Sequence, residues 1–281
     1  MHHEYWINFV SSQYASPVRE SERQTTEGPL TLTGKVKVFL SVVIALAGST
    51  ALLAQTTTYY SAWNIDQRAG WVSCDVCAGP GGAGVATDHA MLQKVASPML
   101  EGYSSQFNLK PSASYATALW WNDVGGRDAS SRFIYDLYFY VVDPTAPQAL
   151  EFDVNQTRAA DSTKYIFGVE CDIRGTHSWR YYDNAVKKWV SSGIACTTPA
   201  AYTWNHLVLE FQRVSATDTT AASLQWLAVT LNGAKSYLNG SSAPRPGTGT
   251  YPHINVAFQM DANKAATPYS VWIDKMKLTH W

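Results

Sequence analysis

The segment Ala149–Asn155 reads ALEFDVN, and apolar and polar side chains alternate along it from Leu150 onward. Successive side chains of a β-strand point to opposite faces. The apolar side chains would therefore share a face that packs into a core, and Glu151, Asp153 and Asn155 would share the other. This period of two predicts a strand that is buried on one face and carries short acids and an amide on the other.

The same period recurs through the rest of the chain, in runs that are rich in β-branched and aromatic residues. With Ala149–Asn155, the predicted strands are Arg132–Val142, Tyr165–Ile173, His206–Val214, Leu224–Leu231, His253–Asp261 and Tyr269–Thr279. Asn232-Gly233 predicts a hairpin between two of them, because both positions of such a turn need φ > 0. Asp183-Asn184 predicts a second hairpin. No segment has a helical period. We expect one all-β domain over residues 55–281, a two-sheet antiparallel jelly-roll sandwich.

The segment before this domain has the order of a secretory signal. Residues 34–54 comprise a basic start, a short apolar run and a small-residue exit. The run is shorter than the roughly 20 residues that a membrane-spanning helix needs. We therefore expect secretion to a periplasmic or extracellular location, with no membrane span in the mature form. Residues 1–33 are polar and aperiodic, which predicts a disordered extension, or untranslated sequence if the true start lies near Lys35.

The charge and the cysteine content limit which partners and which cellular compartment fit the sequence. The formal net charge is −1, which argues against nucleic acid as the main partner and against an electrostatic membrane site. All four cysteines follow the signal, so an oxidising compartment predicts two disulfides. The simplest pairing is Cys74 with Cys77 and Cys171 with Cys196, although three pairings are open from the sequence. The alternative is a zinc or redox site at the Cys-x-x-Cys. It is disfavoured because Cys171 and Cys196 lack the spacing of a second ligand pair.

Three of the predicted strands carry a polar row opposite the apolar one. These rows contain short acids and amides but no lysine, and they comprise Glu151, Asp153, Asn155, Glu210, Gln212, Asn255, Gln259 and Asp261. Such a mixture offers the donors and acceptors that sugar hydroxyls need. The simpler interpretation is an ordinary solvated sheet face. We favour a sugar-binding concave sheet.

Aromatic residues accompany the polar rows. Trp120 and Trp121 are adjacent on a strand, so only one indole can lie on the polar side and stack on a sugar ring, while the other joins the core. Trp179, Tyr181 and Trp189 lie on the predicted hairpin around Asn184 and would form an aromatic edge to a groove.

Three short patches carry a resemblance to a known superfamily. They are Glu151-Phe-Asp153-Val-Asn-Gln156, the hairpin VTLNG at Val229–Gly233, and the final strand VWIDKMKL at Val271–Leu278. Over residues 100–281 the chain resembles the concanavalin A-like lectin/glucanase superfamily, a two-sheet jelly roll. The first patch is similar to the Glu-x-Asp-x-x-Glu strand of laminarinase-like retaining glucanases.

The resemblance implies roles for individual residues. In those glucanases the first Glu is the nucleophile, the Asp supports it and the second Glu is the acid/base, so Glu151 and Asp153 match the first two roles. Gln156, or Asn155 in a strand without a bulge, stands where the second Glu is expected, and an amide cannot deliver a proton. Glu210 or Asp261 would have to supply the second carboxyl from a neighbouring strand. The resemblance also implies a structural calcium ion, with Asp66, Asp123 and Asp274 as candidate ligands; no cofactor is otherwise required.

These observations give three hypotheses for the function. The first is a secreted, lectin-like protein that binds a polysaccharide or oligosaccharide through Trp120, Trp121, Glu151, Asp153, Gln156, Glu210, Gln212, Gln259 and Asp261. The second is a glycoside hydrolase, with Glu151 as nucleophile and Glu210 or Asp261 as acid/base. The third is a structural or adhesive surface protein without a sugar site.

Overall fold

A computed structural model of the protein describes residues 57–77, 84–247 and 251–281, and the predicted extension (1–33) and signal peptide (34–54) lie outside the described residues. The described residues form strands and one short 3₁₀ helix, Ile65–Gln67. The strands are Tyr60–Ala62 (β1), Val72–Cys74 (β2), Asp88–Val95 (β3), Ser104–Lys110 (β4), Thr117–Gly125 (β5), Arg132–Val141 (β6), Pro147–Arg158 (β7), Thr163–Asp172 (β8), Ser178–Asp183 (β9), Lys188–Ala195 (β10), Thr203–Val214 (β11), Ser223–Leu231 (β12), Ala234–Ser242 (β13), Arg245–Pro246 (β14), His253–Ala262 (β15) and Tyr269–His280 (β16).

The strands pair in two sheets. Sheet A has the order β13-β12-β11-β6-β16-β4-β3, with β1 paired to β16, and sheet B has the order β10-β9-β8-β7-β15-β5-β2, with β14 paired to β8. All these pairs are antiparallel, and most neighbours in a sheet are distant in sequence, as β15 is from both β7 and β5. This long-range order confirms the predicted two-sheet jelly-roll sandwich.

The core lies between the sheets and is rich in aromatic side chains. Phe258 at the centre of sheet B contacts the rings of Phe107, Phe152 and Trp120, with centroid distances of 5.0, 5.3 and 6.4 Å. Aromatic pairs at these separations add to the stabilisation that comes from burial alone. The apolar members of each period-two run face this core, so their alternate neighbours face outward.

The local predictions agree with the structure. Each of the seven predicted runs is a strand, and their ends differ by at most three residues from the structure. Asn232 and Gly233 have φ values of 50° and 84° and connect β12 to β13 as a hairpin. The turn after Asp183 connects β9 to β10. Within the described ranges, no helix has the length and apolar character needed to cross a membrane.

The disulfides also follow the simplest predicted pairing, Cys74 with Cys77 and Cys171 with Cys196. The second bond joins β8 to the residue that follows β10, and so it spans β9 rather than linking immediate neighbours. Both of its cysteines are buried in the hydrophobic core.

Candidate functional site

The outward face of sheet B carries most of the polar residues that the sequence singled out. Leu150, Phe152 and Val154 of β7 lie in the core, so Glu151 and Asp153 project to the opposite face. Both are nevertheless almost inaccessible, with exposures of 7% and 1%. We call this surface of β10, β9, β8, β7, β15 and β5 the recessed face.

Cross-strand pairing assembles a cluster of carboxyl groups at the centre of the recessed face. Glu151 pairs with Glu170 of β8 on one side and with Gln259 of β15 on the other. Asp261 lies two residues beyond Gln259 and on the same face. One carboxylate oxygen from each of Glu151, Glu170 and Asp261 lies within 4.8 Å of the others. Three acids from three adjacent strands therefore converge on one point.

Arg180 of β9 is the cation that contacts this cluster. Its Nε lies 2.5 Å from Glu170 Oε1, and its Nη1 lies 3.4 Å from Asp172 Oδ2. On the other side of Asp153 lies Lys164 of β8, a buried lysine whose charge acts on that carboxyl.

Burial dominates the electrostatics of the cluster, because a buried carboxyl group is penalised in its charged form. Burial raises the pKa of Glu151 well above its usual range, and the neighbouring charge of Asp153 adds to the effect. Burial also raises the pKa of Glu170, against the opposing charge of Arg180, and raises the pKa of Asp261 to about 7. Burial therefore favours the protonated, uncharged form of these carboxyl groups.

Aromatic side chains flank the polar centre on both sides. Trp121 of β5 pairs with Ala257, which pairs in turn with Asp153. On the far side, Tyr182 and Trp189 are cross-strand partners whose rings are 5.4 Å apart. From β9 to β5 the row crosses four inter-strand spacings, or about 19 Å.

A glycine on the recessed face leaves space between these aromatic side chains. Gly168 of β8 is the cross-strand partner of Asp153. A Cβ atom at this position would lie 3.1 Å from Tyr182 Cβ, 3.2 Å from Asp153 Oδ1 and 3.3 Å from the Trp189 ring. Any larger residue would have to displace the aromatic pair or the carboxyl group. Only a residue without a side chain therefore leaves this space between the aromatic flanks open.

Several polar atoms on the recessed face have no hydrogen-bond partner within the protein. They include Oε1 of Gln259 and Oδ1 of Asn155, whereas the carboxyl groups of Glu151 and Asp153 hydrogen-bond each other, and Asp153 also accepts from the backbone N–H of Val169. Most buried polar groups in native proteins are paired with protein or ordered water. These atoms are thus available to a polar ligand.

The structure corrects the predicted positions of Glu210 and Gln212. Both lie on β11, which belongs to sheet A and pairs with β6 and β12. Their strand alternates as predicted, but its polar side is the outer surface of the other sheet, where Glu210 Oε1 lies 2.5 Å from Lys235 Nζ. Neither residue shares a surface with Glu151, so Glu210 cannot act with it as acid/base.

Gln156 and Trp120 are corrected in the same way, because both face inward. Gln156 is fully buried, and its Nε2 donates to the carbonyl oxygens of Arg127 and Ser130, at 2.8 and 2.9 Å. Trp120 packs in the core, which leaves Trp121 as the indole of this pair on the recessed face. Of the predicted aromatic edge, Trp179 and Tyr181 pack in or against the core, and Trp189 lies on the recessed face.

The aspartates considered for calcium lie away from the cluster. Asp274 Oδ2 accepts hydrogen bonds from the backbone N–H groups of Leu100 and Glu101, and Asp66 Oδ1 accepts one from that of Met276. Asp123 caps the exposed end of β5 through the N–H of Gly125. Donors from the protein thus occupy carboxylate oxygens that a cation would need.

Sequence reasoning missed Glu170, Arg180 and Tyr182. For Glu170 the signal was present, because the predicted strand Tyr165–Ile173 alternates and places Glu170 opposite Val169 and Cys171. Arg180 and Tyr182 alternate in the same way with core residues of β9. Their convergence on Glu151 depends on the order β9-β8-β7, which local sequence does not encode.

The chain is similar to several solved structures, at very low sequence identity. No protein-family model matches the sequence, and no curated protein matches it. Solved structures that are similar include the cellulose-induced protein Cip1, at 11% identity over 77% of this chain and 96% of that one, with a TM-score of 0.46. Arcelin-5, a lectin-like defence protein from Phaseolus vulgaris, is 9% identical over 80% and 99%, with a TM-score of 0.44. The alginate lyase Aly36B is 11% identical over 74% and 97%, with a TM-score of 0.42.

The strand order and pairing of the chain itself define its class. It is an all-β, two-sheet antiparallel jelly-roll sandwich, as the sequence predicted. Because one fold of this kind supports many functions, the function has to be argued from the recessed face.

Proposed function

We propose that this protein binds a polysaccharide or oligosaccharide on the recessed face of sheet B. The observation that carries the proposal is the row of buried carboxyl and amide groups between Trp121 on one flank and Tyr182 with Trp189 on the other. Carboxyl and amide groups match sugar hydroxyls, which both donate and accept hydrogen bonds. Aromatic faces provide flat apolar surfaces for the C–H face of a sugar ring.

We also infer that the protein works outside the cytoplasm. The two disulfides support this location, because such bonds persist in oxidising compartments. A polymer with many hydroxyl groups is a partner that an exported protein would meet.

A glycoside hydrolase is the second candidate, and a specific observation favours it. Glu151 has carboxylate oxygens of Glu170 and Asp261 within 4.8 Å, close to the separation of about 5–5.5 Å between the two carboxyl groups of retaining enzymes. The raised pKa of Glu170 suits a proton donor. The raised pKa of Glu151, however, opposes a nucleophilic role, which needs the ionised form. We therefore place binding ahead of hydrolysis.

The decisive experiment combines a glycan array and polysaccharide pull-downs of the purified full-length chain with product analysis on every hit. We expect binding without products. Products that disappear in Glu151→Gln would replace the proposal with a hydrolase, because the amide keeps the shape but cannot attack carbon. If a broad panel yields neither binding nor products, the structural or adhesive hypothesis would stand.

Trp121→Ala should weaken binding to the best ligand by about tenfold, which corresponds to about 1.4 kcal/mol. The change removes one flank of the recessed face and leaves the core indole of Trp120 in place. Affinity would be measured by isothermal titration calorimetry. Trp204→Ala is the matched control, because Trp204 is a half-buried indole on the outer face of sheet A. A larger loss in the control would move the binding surface to sheet A.

A further inference from the structure

The chain contains two Asn-x-Ser/Thr triplets, and the structure separates them by exposure. They are Asn155-Gln156-Thr157 in β7 and Asn239-Gly240-Ser241 in β13. This triplet, with any residue but proline in the middle, is the sequence in which an asparagine accepts an N-linked oligosaccharide in a secreted protein. The acceptor has to lie on the surface, because the attached sugar is bulky and hydrophilic.

The triplet in β7 is closed to such a modification in the folded protein. Asn155 is 4% exposed, and its Nδ2 atom, which would carry the sugar, donates a hydrogen bond to Asn255 Oδ1 at 3.0 Å. Its strand also lies between β8 and β15 in the middle of sheet B. This triplet therefore serves as an internal control that has the right sequence and the wrong exposure.

The triplet in β13 faces solvent. Exposed and buried residues alternate along the second half of the strand, so Tyr237, Asn239 and Ser241 share its outward side. Gly240 faces inward, where a Cβ atom would lie 2.8 Å from the ring of Tyr181. Packing thus explains the glycine. Within the described ranges, however, the side chains of Asn239 and Ser241 make no hydrogen bond that would explain them.

The backbone of β13 separates Asn239 from the regular strand pairing. Two residues of β13, Leu238 and Asn239, stand opposite one residue of β12, and Asn239 has a φ of 51°. This is a β-bulge, in which the extra residue is left out of the ladder of hydrogen bonds. β13 is also the outermost strand of sheet A. Outer strands need protection against pairing with other chains, and a hydrophilic sugar on the bulge would provide it.

We propose that Asn239 is the acceptor of an N-linked oligosaccharide, delivered from a lipid diphosphate donor by a transferase. Asn239 Nδ2 forms a bond to C1 of the first sugar, and the bond between C1 and the diphosphate oxygen breaks. The lipid diphosphate leaves with the electron pair of that bond, and the amide loses one proton to the transferase. The hydroxyl group of Ser241 completes the triplet that the transferase recognises. Tyr237, which is 63% exposed, offers an apolar ring face beside the first sugar.

This modification rests on the proposed export, because donor and transferase belong to the secretory pathway, but it does not rest on sugar binding by the recessed face. The test is expression of the full-length chain behind a secretion signal of a eukaryotic host, followed by peptide-N-glycosidase treatment and mass spectrometry. The added signal provides entry into the pathway, and the same chain without it measures export separately. We expect one glycan per chain, at Asn239, and none at Asn155. A secreted chain without a sugar at Asn239 would overturn the proposal.

Variants separate recognition of the triplet from effects on the fold. Asn239→Gln and Ser241→Ala should each abolish the mass shift that the glycosidase causes, whereas Ser241→Thr keeps the hydroxyl group and should retain it. A sugar that persists on Ser241→Ala would contradict the proposal. A glycan array with the Asn239→Gln chain reports on the recessed face alone, so the failure of either proposal can be recognised without the other.

Discussion

Phe258→Ala should lower the free energy of unfolding by about 3–5 kcal/mol, the range for phenylalanine truncations in cores. Phe258 is fully buried in β15 and contacts the rings of Phe107, Trp120 and Phe152, so alanine leaves a cavity among three rigid rings. The side chains of Ala257 and Gln259, its neighbours in sequence, lie on the recessed face. Urea denaturation followed by tryptophan fluorescence would measure the change.

Two further variants bracket this result. Phe258→Leu keeps most of the volume and should cost less than about 1.5 kcal/mol. Tyr237→Ala removes a side chain that is 63% exposed on β13 and should change stability by no more than about 0.5 kcal/mol. A loss below 1 kcal/mol (about one fifth to one third of the expected cost) in Phe258→Ala would mean that this part of the core collapses around the gap.

The fold was predictable because its strands alternate so regularly. Along β7, Leu150, Phe152 and Val154 face the core, as the period of two requires, and β15 repeats the pattern. The Asn232-Gly233 turn is also local, since both residues adopt the positive φ that the dipeptide favours. These features depend on neighbours in sequence, and sequence reasoning reaches them.

The assignment of strands to sheets was not predictable in the same way. The strand with Glu210 alternates just as well as the one with Glu151, but pairing with β6 and β12 places it in sheet A. Alternation identifies the side chains that point away from the core. It does not identify the sheet to which their strand belongs. Polar rows on three strands were therefore assigned to one surface, although the structure divides them between two.

Gln156 shows the opposite error. Its predicted position followed the resemblance to the glucanase strand and not the alternation of side chains along β7. By alternation Gln156 shares the inward side of β7 with Phe152 and Val154, and the pairing of β7 with β8 continues through it to Arg158 without a register shift. The resemblance to the glucanase strand required an outward position. Before a residue is matched to a family motif, the face of the sheet on which alternation places it should therefore be checked.

Loss of the Cys171–Cys196 disulfide should cost about 3.5 kcal/mol of stability in the double variant Cys171→Ser/Cys196→Ser. The bond closes a loop with a sequence separation of 25, and the entropy that such a loop removes from the unfolded chain is worth roughly this much. Both sulfur atoms are also buried in the core, so two hydroxyl groups there add a penalty. With both proteins oxidised, we expect the urea midpoint of the double variant to be lower than that of the parent.

The second disulfide supplies the matched control. Cys74 and Cys77 are three residues apart, so Cys74→Ser/Cys77→Ser should cost about half as much by the same relation. Dithiothreitol should shift the midpoint of the parent further than that of the Cys171→Ser/Cys196→Ser variant, which has only the short loop left to lose. If reductant shifts the two midpoints equally, the bond between Cys171 and Cys196 contributes nothing. The argument for an oxidising compartment would then rest on Cys74–Cys77 alone.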